Sequence, residues 1–350
     1  PVRTAVTDNK DDHPFFRYYG LLPHQQNMLQ DSVRTGTYQS AIHQNPSNFK
    51  DKVVLDVGTG TGILAHFAIQ AGAKHVYAVE ASDMADAAKK LMAANGLADK
   101  VTIIKGKVEE VELPEKVDVI ISEPMGFMLV HERMLESYIA ARERFLKPGG
   151  LMMPSKGTIY IAPFCDHGLY HEQLSKTRFW SDTTDFYGLD LTCLAPNSKG
   201  DHFSQPVVGY FDPAILLTHE TVTHVIDFGK DSVDSLAEIV MPFSFKVART
   251  ELLHGIASWF DVEFLGSDNP ITLSTAPTSP GTHWYQCRLL LQDPLAVNAG
   301  QTVTGSVSMR VNSKFSYDIA VTVRLEGTDI VSTNSLNLHD QMYHYLGGGA

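Results

Sequence analysis

Between Lys52 and Pro154, short runs of apolar and β-branched residues alternate with stretches whose apolar positions recur at helical spacing. That rhythm predicts a doubly wound parallel sheet. Strands are expected at 53–57, 76–80, 101–105 and 117–122, and helices at 63–71, 82–95 and 132–146, with Ser82 as the N-cap of the second helix and Lys147-Pro-Gly-Gly150 as the stop of the third. Beyond Pro154 the period shortens to two. Runs at 158–162, 206–211, 222–228, 239–247, 252–264, 283–291, 303–311 and 317–325 predict an antiparallel barrel or sandwich. Residues 164–203 interrupt it with a helical pattern at 169–179 and a loop rich in aromatic and polar residues, an excursion that the β unit does not need. Ahead of the first strand, 15–19 and 25–34 read as helical. The chain thus divides into an N-terminal helical segment (1–51), an α/β domain (52–154) and a β domain (155–346).

Composition narrows the choice of partner. A formal charge of -12 argues against a surface built to grip nucleic acid, which needs clustered Lys and Arg, and favours a basic partner. No apolar run approaches the ~20 residues of a membrane-spanning helix. Cys165, Cys193 and Cys287 show neither paired nor metal-ligand spacing, so reduced thiols and no metal are expected. The polar opening lacks the pattern of a secretory signal, and a start at Pro1 is expected of a piece of a longer protein.

The run Val53-Val-Leu-Asp-Val-Gly-Thr-Gly-Thr-Gly62 leads from a strand straight into a helical pattern. Gly58, Gly60 and Gly62 fall where the strand must turn sharply and its backbone approach a ligand. A dinucleotide fold offers nearly the same loop, as in a dehydrogenase. Two details separate them: the spacing is G-x-G-x-G, and Asp56 sits two residues before the first glycine, where it can meet an amino group. S-adenosylmethionine carries an ammonium there; a pyrophosphate would be repelled. Glu80 closes the second strand, 22 residues after Gly58, where a carboxylate accepts from both ribose hydroxyls. Glu109 follows the third strand and suits an adenine amino group, with Val108 donating from its backbone. Three acids at successive strand ends beside a glycine turn point to an adenosyl ligand. The aromatic run Phe15-Phe-Arg-Tyr-Tyr19 is placed to cover that ligand, and Arg34 to pair with its methionine carboxylate.

After the fourth strand, Ser122-Glu-Pro-Met-Gly126 and the following residues hold Glu123 and Glu132 nine positions apart. Two carboxylates on one tight loop accept from both edges of a planar guanidinium, whose donors form a fixed fork. This is a clamp for arginine.

At these residues the chain resembles the protein arginine methyltransferases, over nearly its whole length from Phe15 to about Tyr345, and most of all the coactivator-associated branch. The resemblance rests on Arg34-Thr-Gly-Thr-Tyr38, the loop from Asp56 to Gly62, Tyr77-Ala-Val-Glu-Ala-Ser82, Ser122-Glu-Pro-Met-Gly126 with Glu132, and Thr282-His-Trp-Tyr285. Met125, where many relatives carry Trp, and the Thr275-Ala-Pro-Thr stretch mark the branch.

The resemblance implies an α/β fold in which a Rossmann-like methyltransferase domain precedes an antiparallel β-barrel with an inserted dimerisation arm at about 164–203. It implies catalysis by Glu123, Glu132 and His283, with S-adenosyl-L-methionine converted to S-adenosyl-L-homocysteine; a proton relay through His283 is expected to be oriented by Asp31 in Asn27-Met-Leu-Gln-Asp31. Cofactor contacts are expected from Phe16, Tyr19, Gln25, Met28, Arg34, Asp56, Gly58, Gly60, Glu80, Ala81, Val108, Glu109, Met134 and Ser137. Met28 and Met134 resemble the methionines that flank the acceptor pocket where asymmetric dimethylarginine is formed. The family's aromatic motif begins Tyr-Phe; Phe15 here lacks that hydroxyl, and no bond from it to Glu123 or the cofactor is expected. A homodimer through the arm, arginine-containing substrates such as histone tails and RNA-binding proteins, and residence in nucleus and cytoplasm complete the expectation. The runner-up is a catalytically silent scaffold that binds the cofactor.

Overall fold

The computed structural model describes residues 14–344; residues 1–13, 345 and 346 of the expected segments, and the tail beyond, lie outside it. Four helices lead in: α1 (Pro14–Tyr19), α2 (Leu22–Gln30), α3 (Ser32–His43) and α4 (Pro46–Phe49). The single helix expected at 25–34 is two. The chain breaks at Asp31, whose extended backbone and carboxylate cap α3 by accepting from the Arg34 N–H at 2.9 Å.

The parallel sheet follows as β1 (Val53–Val57), α5 (Ile63–Gln70), β2 (His75–Glu80), α6 (Met84–Ala94), β3 (Val101–Lys105), β4 (Val117–Ser122), α7 (Met134–Phe145) and β5 (Leu146–Met153). Its strand order is β3-β2-β1-β4-β5. The direction of winding reverses between β1 and β4, which opens a crevice at their carboxyl ends. β1 is buried at every position, as expected of a strand covered on both faces. One expectation fails here and one strand is added. α6 starts after Asp83, while Ser82 Oγ only accepts from the Met84 N–H at 3.2 Å. α7 ends at Phe145, just before the Lys-Pro-Gly-Gly run, as expected, but that run is not a loop; it lies inside β5, an edge strand whose register with β4 shifts between Val117 and Val119. An edge tolerates the proline and glycines that a central strand would not.

The β domain runs β6 (Lys156–Phe164), α8 (His167–Lys176), α9 (Arg178–Asp182), α10 (Ala195–Phe203), β7 (Val207–Gly209), β8 (Val222–Asp227), β9 (Glu238–Lys246), β10 (Glu251–Phe264), β11 (Ile271–Ser274), β12 (Gln286–Val297), β13 (Thr302–Val311), β14 (Tyr317–Leu325), β15 (Val331–Asn337) and β16 (Met342–Tyr343). One sheet is ordered β16-β7-β12-β10-β6-β8, with β11 on β10; the other is β15-β14-β13-β9. Strict alternation of buried and exposed residues along β9 and β14 turns one face of the second sheet onto the first. β16 pairs β7 in parallel, so the first sheet is not wholly antiparallel. The strand expected at 283–291 begins at Gln286, and His283 lies in the turn before it. The excursion consists of α8, α9 and α10, and α10 occupies the end of what read as loop.

One apolar core, with Val54 and Ile120 at one end and Phe260 and Val321 at the other, is shared by both domains. Polar ties fix their relation: Asn45 Nδ2 donates to the Asn269 carbonyl at 2.7 Å, and Tyr138 donates to the Pro154 carbonyl at 2.8 Å. The crevice above β1 and β4 is thereby walled by the β domain.

Candidate active site

A cavity of about 620 Å³ occupies that crevice, within the size range of cofactor sites. It is lined by Phe16, Tyr19, Gln25, Met28 and Arg34 from the N-terminal helices, and by Gly58, Gly60, Glu80, Ala81, Val108 and Glu109 from the strand ends. Glu123, Glu132, Met134 and Ser137 come from the loop after β4 and from α7, and His283 from the β domain.

The glycine turn is built as the residue pattern requires. Gly58 and Gly60 hold φ of 69° and 54°, and a Cβ on Gly58 would lie 2.3 Å from Met134 Cε. Side chains are excluded twice over, by conformation and by space. Glu80 braces the turn while facing the cavity: Oε2 accepts from the Gly60 N–H at 2.8 Å and Oε1 from the Ser82 N–H at 2.8 Å. On the third strand's side, Ser137 donates to Glu109 at 2.5 Å, joining α7 to the loop after β3.

Asp56 braces the glycine turn. It is fully buried and does not line the cavity; its Oδ2 accepts from Thr59 Oγ1 at 2.6 Å and from the Ala65 N–H at 3.1 Å. Oδ2 thereby anchors the turn to the first turn of α5, while Oδ1 is buried and makes no hydrogen bond among the described residues. Burial lifts its carboxyl to about 7, against the pull of those two bonds.

The two clamp glutamates face the same space from one strained loop. Glu123 follows β4 directly. Met128, Leu129, Glu132 and Arg133 all have positive φ, between 51° and 72°, a concentration that non-glycine residues show where surrounding structure over-determines the backbone. Here that structure is visible. Gly126 and Leu129 exchange backbone bonds at 3.1 and 3.0 Å, and Trp284 Nε1 donates to the Met125 carbonyl at 2.9 Å. Arg133 is held by Glu136 at 2.7 and 2.9 Å. Burial raises the Glu132 carboxyl to about 7, with the charge of Glu123 adding to the rise and the Tyr19 bond opposing it.

Each glutamate already has a partner. Tyr19, which lines the cavity, donates to Glu132 Oε2 at 2.7 Å. Arg34 donates from Nε and Nη2 to Glu123 Oε2 at 3.2 and 3.0 Å. The arginine expected on the methionine carboxylate thus also holds a clamp residue, through one carboxylate oxygen.

His283 is bound to Asp31 twice, through Nδ1 at 2.7 Å and through its backbone N–H at 2.8 Å, both to Oδ2. The other oxygen caps α3. Burial alone would raise the Asp31 carboxyl, but the bonds from His283 and Arg34 outweigh it and hold it below its ordinary value. The residue that starts α3 therefore also orients the histidine of the β domain.

Several lining residues were not read as functional from the sequence. Trp284 and Tyr285 follow His283 in the chain, and Phe127, Phe315 and Tyr343 also line the cavity, with the Phe127 and Tyr343 rings 6.0 Å apart. Apolar alternation marks such residues as core, and only the fold shows which of them end at a cavity mouth.

Comparison with known proteins agrees with this geometry. Residues 54–150 match a methyltransferase domain, and residues 155–329 match an arginine methyltransferase oligomerization subdomain. The histone-arginine methyltransferase CARMER of Drosophila persimilis is 50% identical over 346 residues, 99% of this chain and 65% of that protein; CARMER of Drosophila willistoni is 50% identical, with 64% of its length covered. The chain thus spans just under two thirds of these curated relatives. Among solved structures, the Trypanosoma brucei PRMT1 enzyme-prozyme heterotetrameric complex with AdoHcy is 32% identical with a TM-score of 0.81, covering 91% of this chain and 99% of that one. Arabidopsis thaliana protein arginine methyltransferase 10 is 34% identical, also at 0.81, covering 92% and 100%.

Proposed function

Because the chain belongs to the protein arginine methyltransferase family, we propose that it moves methyl groups from S-adenosyl-L-methionine to arginine side chains of proteins, leaving S-adenosyl-L-homocysteine. The observation that carries this reading is the convergence of Glu123 and Glu132 on a cavity whose opposite wall is the glycine turn with Glu80 and Glu109. When bound, the cofactor supplies an electrophilic methyl on a sulfonium. Glu80 would take the ribose hydroxyls, Glu109 and Val108 the adenine, and Arg34 the carboxylate.

The chain's own part is to present a nucleophile. Arginine's pKa above ~12 forbids simple deprotonation. Glu123 and Glu132 accept from the nitrogens that do not attack and draw positive charge toward them, which leaves the attacking nitrogen richer in electrons. Positioning that nitrogen in line with the departing sulfur lowers the barrier further. The methylated guanidinium then sheds a proton to His283, held in orientation by Asp31.

Glu80→Ala is expected to weaken cofactor binding about 10- to 100-fold, equivalent to ~1.4–2.8 kcal/mol, because the ribose loses its acceptor and the Gly60 N–H its brace. Calorimetry checks this; unchanged affinity moves the ribose contact elsewhere.

The substrates we propose are histone tails and RNA-binding proteins, in nucleus and cytoplasm. Support comes from the basic character expected of partners of a chain with charge -12 and from the named activity of the Drosophila relatives. Incubation with labelled cofactor and cell extract, followed by mapping of modified arginines, tests both activity and substrate. Cofactor binding without any transfer would leave the silent scaffold instead.

The product proposed is asymmetric dimethylarginine. Met28 and Met134 both line the cavity, and slim, adaptable thioethers leave room for an already methylated nitrogen to return to the donor. Fragmentation in the mass spectrometer is expected to show loss of dimethylamine. Predominant loss of monomethylamine, the mark of the symmetric isomer, would overturn the pocket argument and leave the transferase reading standing.

We also assign the arm, residues 164–203, as the homodimer contact. Phe179, Trp180, Phe186 and Tyr187 form a chain of edge-on ring contacts there, and Tyr187 is 96% exposed.

A further inference from the structure

The root of the arm holds a cluster that the methyl-transfer chemistry does not use. Cys165 ends the link from β6, His167 is the first residue of α8, and His254 lies near the start of β10. The sulfur and one nitrogen of each ring lie within 4.8 Å of one another. His254 is 1% exposed and Cys165 7%, whereas the His167 side chain is 49% exposed, so the cluster is seated in the protein with one side open to solvent. Glu251 stands beside it: His167 Nε2 is 2.9 Å from Glu251 Oε1, and the Cys165 thiol is hydrogen-bonded to the same side chain.

Local backbone explains how these residues meet. Residues three apart on a flat strand point to opposite faces. The pairing of β10 with β12 is irregular between Leu253 and Gly255, at His254, and this break brings His254 to the side of Glu251. On the other segment, Asp166 separates Cys165 from His167, caps α8 through the Leu169 N–H at 2.9 Å and is paired with buried Arg288 at 2.6 Å. Both halves of the cluster are therefore held by the fold. The cysteine spacings gave no metal signal because the partners are histidines from two separated segments.

We propose that Cys165, His167 and His254 form a zinc site, with Glu251 orienting His167 and solvent completing the tetrahedron on the open side. One thiolate and two imidazoles are a donor set suited to zinc, and a carboxylate on the far nitrogen of a ligating histidine is the usual way its ring is fixed. Binding releases the thiol proton to solvent. The His254 Nδ1 now accepts from the Asp166 N–H at 3.1 Å; coordination through that nitrogen exchanges one neutral hydrogen bond for a metal bond. A metal here staples the root of the arm to β10. Its consequence for assembly rests on the assignment of the arm as the dimer contact, whereas zinc binding itself does not.

The test uses the full chain without a histidine tag, loaded with zinc, dialysed against a weak chelator and measured for metal content beside Cys165→Ser and His167→Ala. About one zinc per chain is expected in the parent, with at least a tenfold loss of affinity in each variant. Cobalt(II) in place of zinc is expected to give a thiolate charge-transfer band that Cys165→Ser abolishes. Cofactor binding, whose cavity these residues do not line, serves as the control for folding. No retained zinc in the parent, or equal zinc in all three proteins, would overturn the assignment. If the site binds zinc and stripping it leaves the dimer constant unchanged, the stapling role is refuted and the site stands.

Discussion

Glu132→Gln is expected to abolish methyl transfer, with a loss on the order of 10³-fold in kcat, while cofactor affinity stays within about threefold. The magnitude is that of removing one preorganised electrostatic partner from a reacting group. Gln keeps the shape and can still accept from Tyr19, so the loss isolates the charge. The same variant is expected to be the more stable protein. The carboxyl is raised from 4.5 to about 7, so its favourable contribution to folding is complete below about 4.5 and is lost as pH rises through about 7. Above that pH the charged glutamate costs the parent about 1–3 kcal/mol that glutamine does not. Thermal melts should therefore coincide near pH 4 and separate above pH 7, with the variant higher. A matching acid limb is expected in kcat/KM of the parent, falling below pH 7 as Glu132 takes up a proton, and persisting at lower rate in His283→Gln. Near-normal turnover in Glu132→Gln would remove the clamp from the mechanism.

This inverse relation between stability and activity is written into the loop itself. Four residues in left-handed conformation and two carboxylates in one cavity are unfavourable arrangements that only a surrounding scaffold sustains. Trp284 from the β domain, Tyr19 from α1 and Arg34 from α3 supply it, each through a bond to the loop or its glutamates. The clamp is thus completed by three parts of the chain that are remote in sequence, and the N-terminal helices are part of it and not merely a cover.

The parts of the fold readable in advance were those with local signals. β-Branched runs marked four strands of the parallel sheet, and G-x-G-x-G at 58–62 marked the cofactor turn, since positive φ leaves glycine little competition. β5 escaped because its Lys-Pro-Gly-Gly segment carries stop signals that an edge strand tolerates. Asp56 combines what its position allows: two residues before a glycine, its Oδ2 folds under the loop onto Thr59 and Ala65, and its Oδ1 is left without a partner among the described residues. Arg34 and Glu123 are 89 residues apart, and no spacing rule pairs them. Asp31 with His283, across 252 residues, was expected only from the chemistry of a histidine relay that needs a carboxylate to orient it.

Arm variants are expected to give the second large effect. Replacing Phe179 and Tyr187 together with Glu should convert the protein to a monomer and lower activity at least ~10-fold. Exposed aromatic clusters mark interfaces, and anchors of this kind contribute about 2 kcal/mol or more each. Phe179 on α9 is 48% exposed, and Tyr187 and Leu189 in the loop that follows are 96% and 64% exposed. Exposed leucines also occur on the other half of the molecule: Leu21 before α2 and Leu22 at its start are 53% and 64% exposed, and Leu91 on α6 45%. Two-fold assembly that lays each arm on the partner's cofactor domain would cover both surfaces at once. The expected loss of activity follows from the clamp. α1 carries Tyr19, and α2 carries Gln25 and Met28; a short helix pair with exposed leucines closes the cavity only weakly unless something packs on its outer side. Sedimentation and cofactor titration together decide the matter, with circular dichroism to show that the fold survives. A charged-arm variant that still sediments as a dimer would refute the arm assignment, and a fully active monomer would refute the link between dimerisation and closure.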